Sequence, residues 1–71
     1  MRVRLKERAV WTALERLHIS QNELARRLGI SSGYLSQLIC GRRSPSARLR
    51  RRFLEVLGPL GFDDLFFLEE Q

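Results

Sequence analysis

Residues 21–41 read QNELARRLGISSGYLSQLICG, from Gln21 to Gly41, and this stretch decides the fold. Ser20 stands just before it at an N-cap position, and Glu23 follows three places on, the spacing of a capping box. Leu24, Ala25 and Leu28 fall on one face of the helix that follows. Gly29 stops that helix, because glycine enters the left-handed conformation of a C-terminal cap without steric cost. Ile30 is apolar inside a turn, which suits a plug between two helices. Ser31 can cap a second helix. Its buried stripe is Leu35, Leu38 and Ile39, and Gly41 ends it. Ser32, Gly33, Ser36 and Gln37 remain outside, small or polar and on one face of the first two turns.

Two short helices joined by a tight Gly-containing turn form a helix-turn-helix arrangement, a shape that lets a small basic protein push a helix into the DNA major groove. The flanking sequence extends this reading. Val10, Leu14 and Leu17 share a stripe with Ala13 beside it, predicting a first helix over about 6–17. His18 takes the cap position after it, since His tolerates the left-handed region better than most residues. Beyond Gly41 comes a loop, 42–45, and then Ser46 caps a fourth helix with Leu49, Phe53, Val56 and Leu57 inward. Gly58 and Pro59 end it. Asp63 and Asp64 favour the first turn of a short fifth helix opening at 61–64. Val3 and Leu5 alternate with Arg2, Arg4 and Lys6, and Phe66 and Leu68 with Phe67 and Glu69. This period of two predicts that the termini pair as a small two-stranded ribbon. Trp11 and Phe67 are then left as candidate exposed aromatics. The expected fold is mainly α: a single domain over 1–71, with five helices and a small terminal β-ribbon.

The chain has 71 residues, enough for one modest core. A hydrophobic share of 44% argues for folding rather than disorder. No apolar run approaches the length of a membrane span, and MRVRLKERAV lacks the apolar stretch of a secretory signal. Cys40 is the one cysteine, so no internal disulfide forms; together these features point to the cytoplasm. The net charge of +5 is unevenly spread. Residues 1–52 hold all 13 Lys and Arg against Glu7, Glu15 and Glu23, whereas residues 53–71 hold five acids and no base. Such polarity gives one face that seeks phosphate. An Arg-rich run can also be a solvated surface, but beside a candidate recognition helix it favours nucleic acid.

These residues resemble the Cro/C1-type helix-turn-helix family, also called the XRE family and lambda-repressor-like in fold. The match is carried by Gln21, Leu24, Ala25, Gly29, Ile30, Ser31, Tyr34, Leu35, Ser36, Leu38 and Gly41. It reaches Pro45, Leu57 to Gly58, and the Asp63-Asp64-Leu65-Phe66 run, nearly the whole chain. The resemblance implies a bacterial or phage-encoded helical domain that binds double-stranded operator DNA, usually as a homodimer, most simply as a repressor. The third helix, about 32–40, would enter the major groove. Carried over by position, Gln21 falls where the family's glutamine contacts a phosphate and braces the recognition helix. Ser32 and Gly33 fall where bases are often read, and Gln37, one turn on, at another such position. Arg42 and Arg43 match a loop that grips the backbone. The chain departs from the family at Gly33, which has no side chain to read a base, at Cys40, and at Ile39.

The candidate base contacts are therefore Ser32, Gly33, Ser36 and Gln37. Gln37 leads, because a glutamine can bind adenine N6 and N7 with two hydrogen bonds, worth about 1–3 kcal/mol of discrimination. Ser36 can reach a base or a phosphate. The candidate phosphate contacts are Gln21, Arg26, Arg27, Tyr34, Arg42 and Arg43. One of Arg26 and Arg27 is expected on phosphate and the other in solvent, and Tyr34 can either touch phosphate or only pack. Arginine supplies affinity and salt dependence, while base edges supply sequence choice. Candidate dimer surfaces are Trp11, the 59–62 loop and Phe67, although Trp11 and Phe62 could equally complete the core. No enzyme is read here. His18 and Cys40 lie on different elements with no third group to orient them, cannot build a structural zinc site, and imply no metal or other cofactor. An acidic, Phe-rich end, FDDLFFLEEQ, keeps open a second reading: an antitoxin or protein-binding subunit with autoregulatory DNA binding. RNA binding ranks below both, because stacking aromatics are scarce near the basic face.

Overall fold

A computed structural model describes residues 2–70. The chain runs β1 (Arg2–Leu5), α1 (Glu7–Leu17), α2 (Gln21–Leu28), α3 (Ser32–Ile39), α4 (Ala47–Val56), α5 (Phe62–Leu65) and β2 (Phe66–Glu69). Five helices pack around one apolar core, and the two strands pair antiparallel with Arg2 opposite Glu69, Val3 opposite Leu68, Arg4 opposite Phe67 and Leu5 opposite Phe66. The terminal ribbon expected from the period-two pattern is therefore present.

Helix starts follow the serines. Ser20 Oγ accepts from Glu23 N at 3.1 Å, Ser31 Oγ from Tyr34 N at 3.1 Å, and Ser46 Oγ from Leu49 N at 3.2 Å. Each satisfies one N–H that the first turn leaves without a helical partner. The second half of the expected capping box is missing. Glu23 turns its carboxylate to Arg26 and Arg27 rather than back to the Ser20 amide. Both pairings suit the same carboxylate, and charged partners at i+3 and i+4 outcompete a neutral N–H.

Helix ends follow left-handed residues. His18, Gly29 and Gly41 have φ of 56°, 77° and 82°. After each, the next amide reaches back to a carbonyl of the last turn: Ile19 N to Leu14 O, Ile30 N to Ala25 O, and Arg42 N to Gln37 O. This is the Schellman closure. It stops α3 at Ile39, one residue short of the expected end, because Cys40 already belongs to the cap.

The core is built from Leu5, Val10, Leu24, Leu28, Leu35, Leu38, Phe53, Leu57, Leu65 and Phe66, with Phe53 and Phe66 meeting edge-on at 5.8 Å between ring centres. Burying one such side chain contributes roughly 1.5–3 kcal/mol. Two stripe positions depart from expectation. Leu17 lies 41% exposed at the end of α1, and Leu68 is 55% exposed at the end of β2. Both share a face with buried residues but run past the edge of the core. Val56 is only half-buried. Trp11 and Phe67 are exposed as expected, and Phe62 joins them. Among the described residues no helix is long and apolar enough to cross a membrane.

Candidate nucleic-acid interface

α2 and α3 are set by their caps and by Leu24, Leu28, Leu35 and Leu38, all fully buried. Ile30 is half-buried and packs against this core from inside the turn. The α3 face turned away from it carries Ser32, Gly33, Ser36 and Gln37, all exposed. At Gly33 an added Cβ would meet no atom within 4 Å, so its backbone stands open to whatever approaches.

Gln21 and Ser36 are brought together. Gln21 Nε2 donates to Ser36 Oγ at 2.8 Å, linking the first residue of α2 to the middle of α3. Ser36 thereby serves as a brace, and its own hydroxyl proton remains to be donated outward.

The basic residues divide into anchored and unanchored groups. Arg26 and Arg27 both pair with Glu23, the latter at 2.9 Å, while the Arg26 side chain stays 78% exposed and that of Arg27 46%. Arg27 and then Arg26, hydrogen-bonded to the Glu23 carboxyl, hold its pKa below the usual carboxylate range. Arg50 Nη1 donates to Pro45 O and Arg52 Nη1 to Leu28 O, each at 2.9 Å. These two therefore tie α4 to the loop before it and to the end of α2. Arg42, Arg43, Arg48 and Arg51 are exposed and have no side-chain partner among the described residues. Arg42 and Arg43 leave directly from the end of α3, with both backbone amides directed to Gln37 O at 2.9 and 3.3 Å. Tyr34 is half-buried beside a cleft of about 250 Å³ lined also by Ile30, Ser46, Arg48 and Arg52.

Four residues outside the expected set meet at the edge of this surface. Arg2 donates to Gly41 O at 2.9 Å and to Ser44 Oγ at 3.0 Å, while Arg4 donates to Glu69 Oε2 at 2.9 Å. Arg2 and Ser44 lie 42 positions apart in the chain, and Arg4 and Glu69 lie 65 apart. The ribbon register, once assumed, was the one signal that set Arg2 opposite Glu69.

Residues 12–65 match the helix-turn-helix family. An uncharacterised HTH-type transcriptional regulator of Methanothermobacter thermautotrophicus (strain Delta H) is 39% identical over 54 residues, covering 76% of this chain and 78% of that protein. No match was found among solved structures. The capped helix pair, the bracing Gln21, the polar outer face of α3 and these matches agree: the chain belongs to the Cro/C1-type helix-turn-helix family of DNA-binding transcription regulators.

Proposed function

We propose that the protein is a sequence-specific regulator that inserts α3 into the major groove of duplex DNA and represses by occupying its site. The observation that carries this reading is the juxtaposition of the open Ser32, Gly33, Ser36 and Gln37 face with Arg42 and Arg43, whose charges no described group claims. In this arrangement Gln37 reads a base edge and Ser32 adds a weaker polar contact. Gly33 lets the backbone come close. Gln21 and Tyr34 meet phosphates flanking α3, and Arg42 and Arg43 grip the backbone beyond it. Arg26 and Arg27 lie on α2, the helix that crosses the backbone in this motif, and would have to share their charge between Glu23 and phosphate. Direct readout rests on few side chains, so sequence-dependent DNA shape supplies part of the specificity.

A single domain of this size offers a small interface. Binding as a homodimer would set two α3 helices about 34 Å apart, one turn of DNA. Exposed Leu17, Phe62 and Phe67 supply apolar surface for such a partner, which also supports the alternative of a protein-bound antitoxin. Selection of bound sites from random duplexes, followed by mobility shifts, tests the reading. A palindromic site is expected, with Gln37→Ala losing about tenfold or more on that site and little on unrelated DNA. Arg42→Ala should weaken binding to all duplexes alike. Equal affinity for every sequence, unaltered by Gln37→Ala, would overturn it.

A further inference from the structure

One face of the terminal ribbon carries Arg2, Arg4, Phe67 and Glu69, because Arg2 pairs with Glu69 and Arg4 with Phe67 across the strands. This face does not look into the core. It meets the segment that follows α3. Arg2 spans that segment from end to end: Nη2 donates to Gly41 O at 2.9 Å and Nε to Ser44 Oγ at 3.0 Å. Between those two points lie Arg42 and Arg43. Arg4 packs against Gly41 so closely that a Cβ there would collide with its guanidinium, and it stacks over Phe67 at 5.6 Å. Glu69 holds both arginines from below, with Oε2 accepting from Arg4 at 2.9 Å and Oε1 lying 3.7 Å from Arg2 Nε.

We propose that Arg2 and Glu69 are positioning residues for DNA binding: the ribbon is a strap that pre-orders the 41–44 segment so that Arg42 and Arg43 meet phosphate without first being immobilised. The proposal rests on the DNA-binding reading above. Its physical basis is that a loop without regular structure pays backbone entropy when a ligand orders it, and a loop already held does not. The 41–44 segment has no helical or strand hydrogen bonds of its own. Its other restraints are the Arg42 and Arg43 amides on Gln37 O, the Arg4 guanidinium against Gly41 and the buried Pro45 ahead of the Ser46 cap. Arg2 is the side chain from outside that hydrogen-bonds both Gly41 and Ser44. Because the Arg2 side chain is only 28% exposed, shares Glu69 with Arg4 and directs Nε and Nη2 to Ser44 and Gly41, it acts through the loop rather than on phosphate. The C-terminal strand thus sets the grip of a surface contributed by the middle of the chain, and a partner that peels β2 away would weaken that grip.

Two measurements on the full chain test this. The first is affinity for the selected duplex across a range of salt concentrations; the second is amide hydrogen exchange in the DNA-free protein. Arg2→Ala should weaken binding about tenfold, the change expected if ordering on the order of one residue's backbone moves into the binding step. The slope of log K against log salt should stay at the wild-type value, because no phosphate contact is removed. In the free protein the Arg42 and Arg43 amides should exchange faster while those of Leu35 and Phe53 do not change. Arg2→Lys keeps the charge but lacks the fork that reaches two acceptors, so it should not restore affinity. Glu69→Gln should shift both measurements in the same direction as Arg2→Ala. Arg42→Ala, by contrast, should flatten the slope by about 0.9. The strap is refuted if Arg2→Ala flattens the slope like Arg42→Ala, if Arg2→Lys restores wild-type affinity, or if loop exchange is unchanged. Failure of the wild-type protein to bind any duplex more tightly than another would instead remove the DNA reading beneath it, and with it the proposal.

Discussion

Replacing Gly33 by alanine separates the stability of α3 from its role at DNA. Gly33 is the second residue of α3, and a Cβ added there has nothing within 4 Å. Its backbone is helical, with none of the positive φ found at Gly29 and Gly41. Alanine therefore meets no strain and removes the entropic penalty of glycine in a helix, about 0.5–1 kcal/mol. For a domain of this size that corresponds to a rise in Tm of about 2–8 °C. The control is Gly29→Ala. At φ 77° the same change forces a left-handed alanine, costing roughly 1–2 kcal/mol, and its Cβ would lie 2.6 Å from the Arg52 Nη1 that caps Leu28 O. DNA binding should move the opposite way from stability at Gly33. A domain with 5–15 kcal/mol of stability is already almost wholly folded, so extra stability cannot by itself change affinity. A methyl group between α3 and the groove floor can, and we expect at least a tenfold loss on the site selected by the wild-type protein. Repeating the selection with the variant should shift preference toward a thymine methyl beside the new side chain. Thermal unfolding and mobility shifts on the same preparations suffice. A higher Tm with unchanged affinity for every duplex would refute the docking of the first turn of α3, and a lower Tm would refute the open space at Gly33.

Phe53→Ala empties the centre of the core, where Phe53 is fully buried against Phe66, and should cost about 3–5 kcal/mol in denaturant unfolding. A loss below 1 kcal/mol would mean that the α4–β2 packing is wrong. Gln21→Ala and Ser36→Ala should show a coupling energy of about 0.5–1 kcal/mol in a double-mutant cycle, the worth of their hydrogen bond, and no coupling would remove the brace. Glu23 titrates below the ordinary carboxylate value because Arg27 and Arg26 hold its ionised form. A depressed folded pKa contributes stability at neutral pH that is lost as pH falls through that lowered value. The stability difference between wild type and Glu23→Gln should therefore be present at pH 7 and vanish in acid. A difference that grows on acidification would contradict the pairing.

What could be read from the chain is what depends on neighbours in sequence. Ser20, Ser31 and Ser46 cap because an amide three residues on always lies within reach, and His18, Gly29 and Gly41 end helices by backbone geometry alone. The ribbon was legible because alternation needs no partner to be seen. Leu17 and Leu68 misled because periodicity gives a face and not the length of the element lying opposite it. Glu23 misled because one spacing served two local bonds. The arginines show the limit most clearly. Residues 1–52 carry 13 bases, but sequence cannot say which of them the fold itself employs. Arg2, Arg4, Arg26 and Arg27 are held by acids, and Arg50 and Arg52 by carbonyls, one of them 24 positions away. All remain charged, so the long-range field that steers DNA toward this half of the molecule reflects the whole surplus. The short-range grip does not. On the function proposed above it falls chiefly to Arg42 and Arg43, with Arg48 and Arg51 also exposed on α4. On that proposal, two to four phosphate contacts imply a salt slope of about −2 to −4 for each chain bound, far shallower than a count of bases would suggest. The unequal division follows from where the acids sit. Glu23 holds Arg26 and Arg27 and Glu69 holds Arg2 and Arg4, whereas Arg42 and Arg43, which leave directly from the end of α3, are exposed and unclaimed among the described residues.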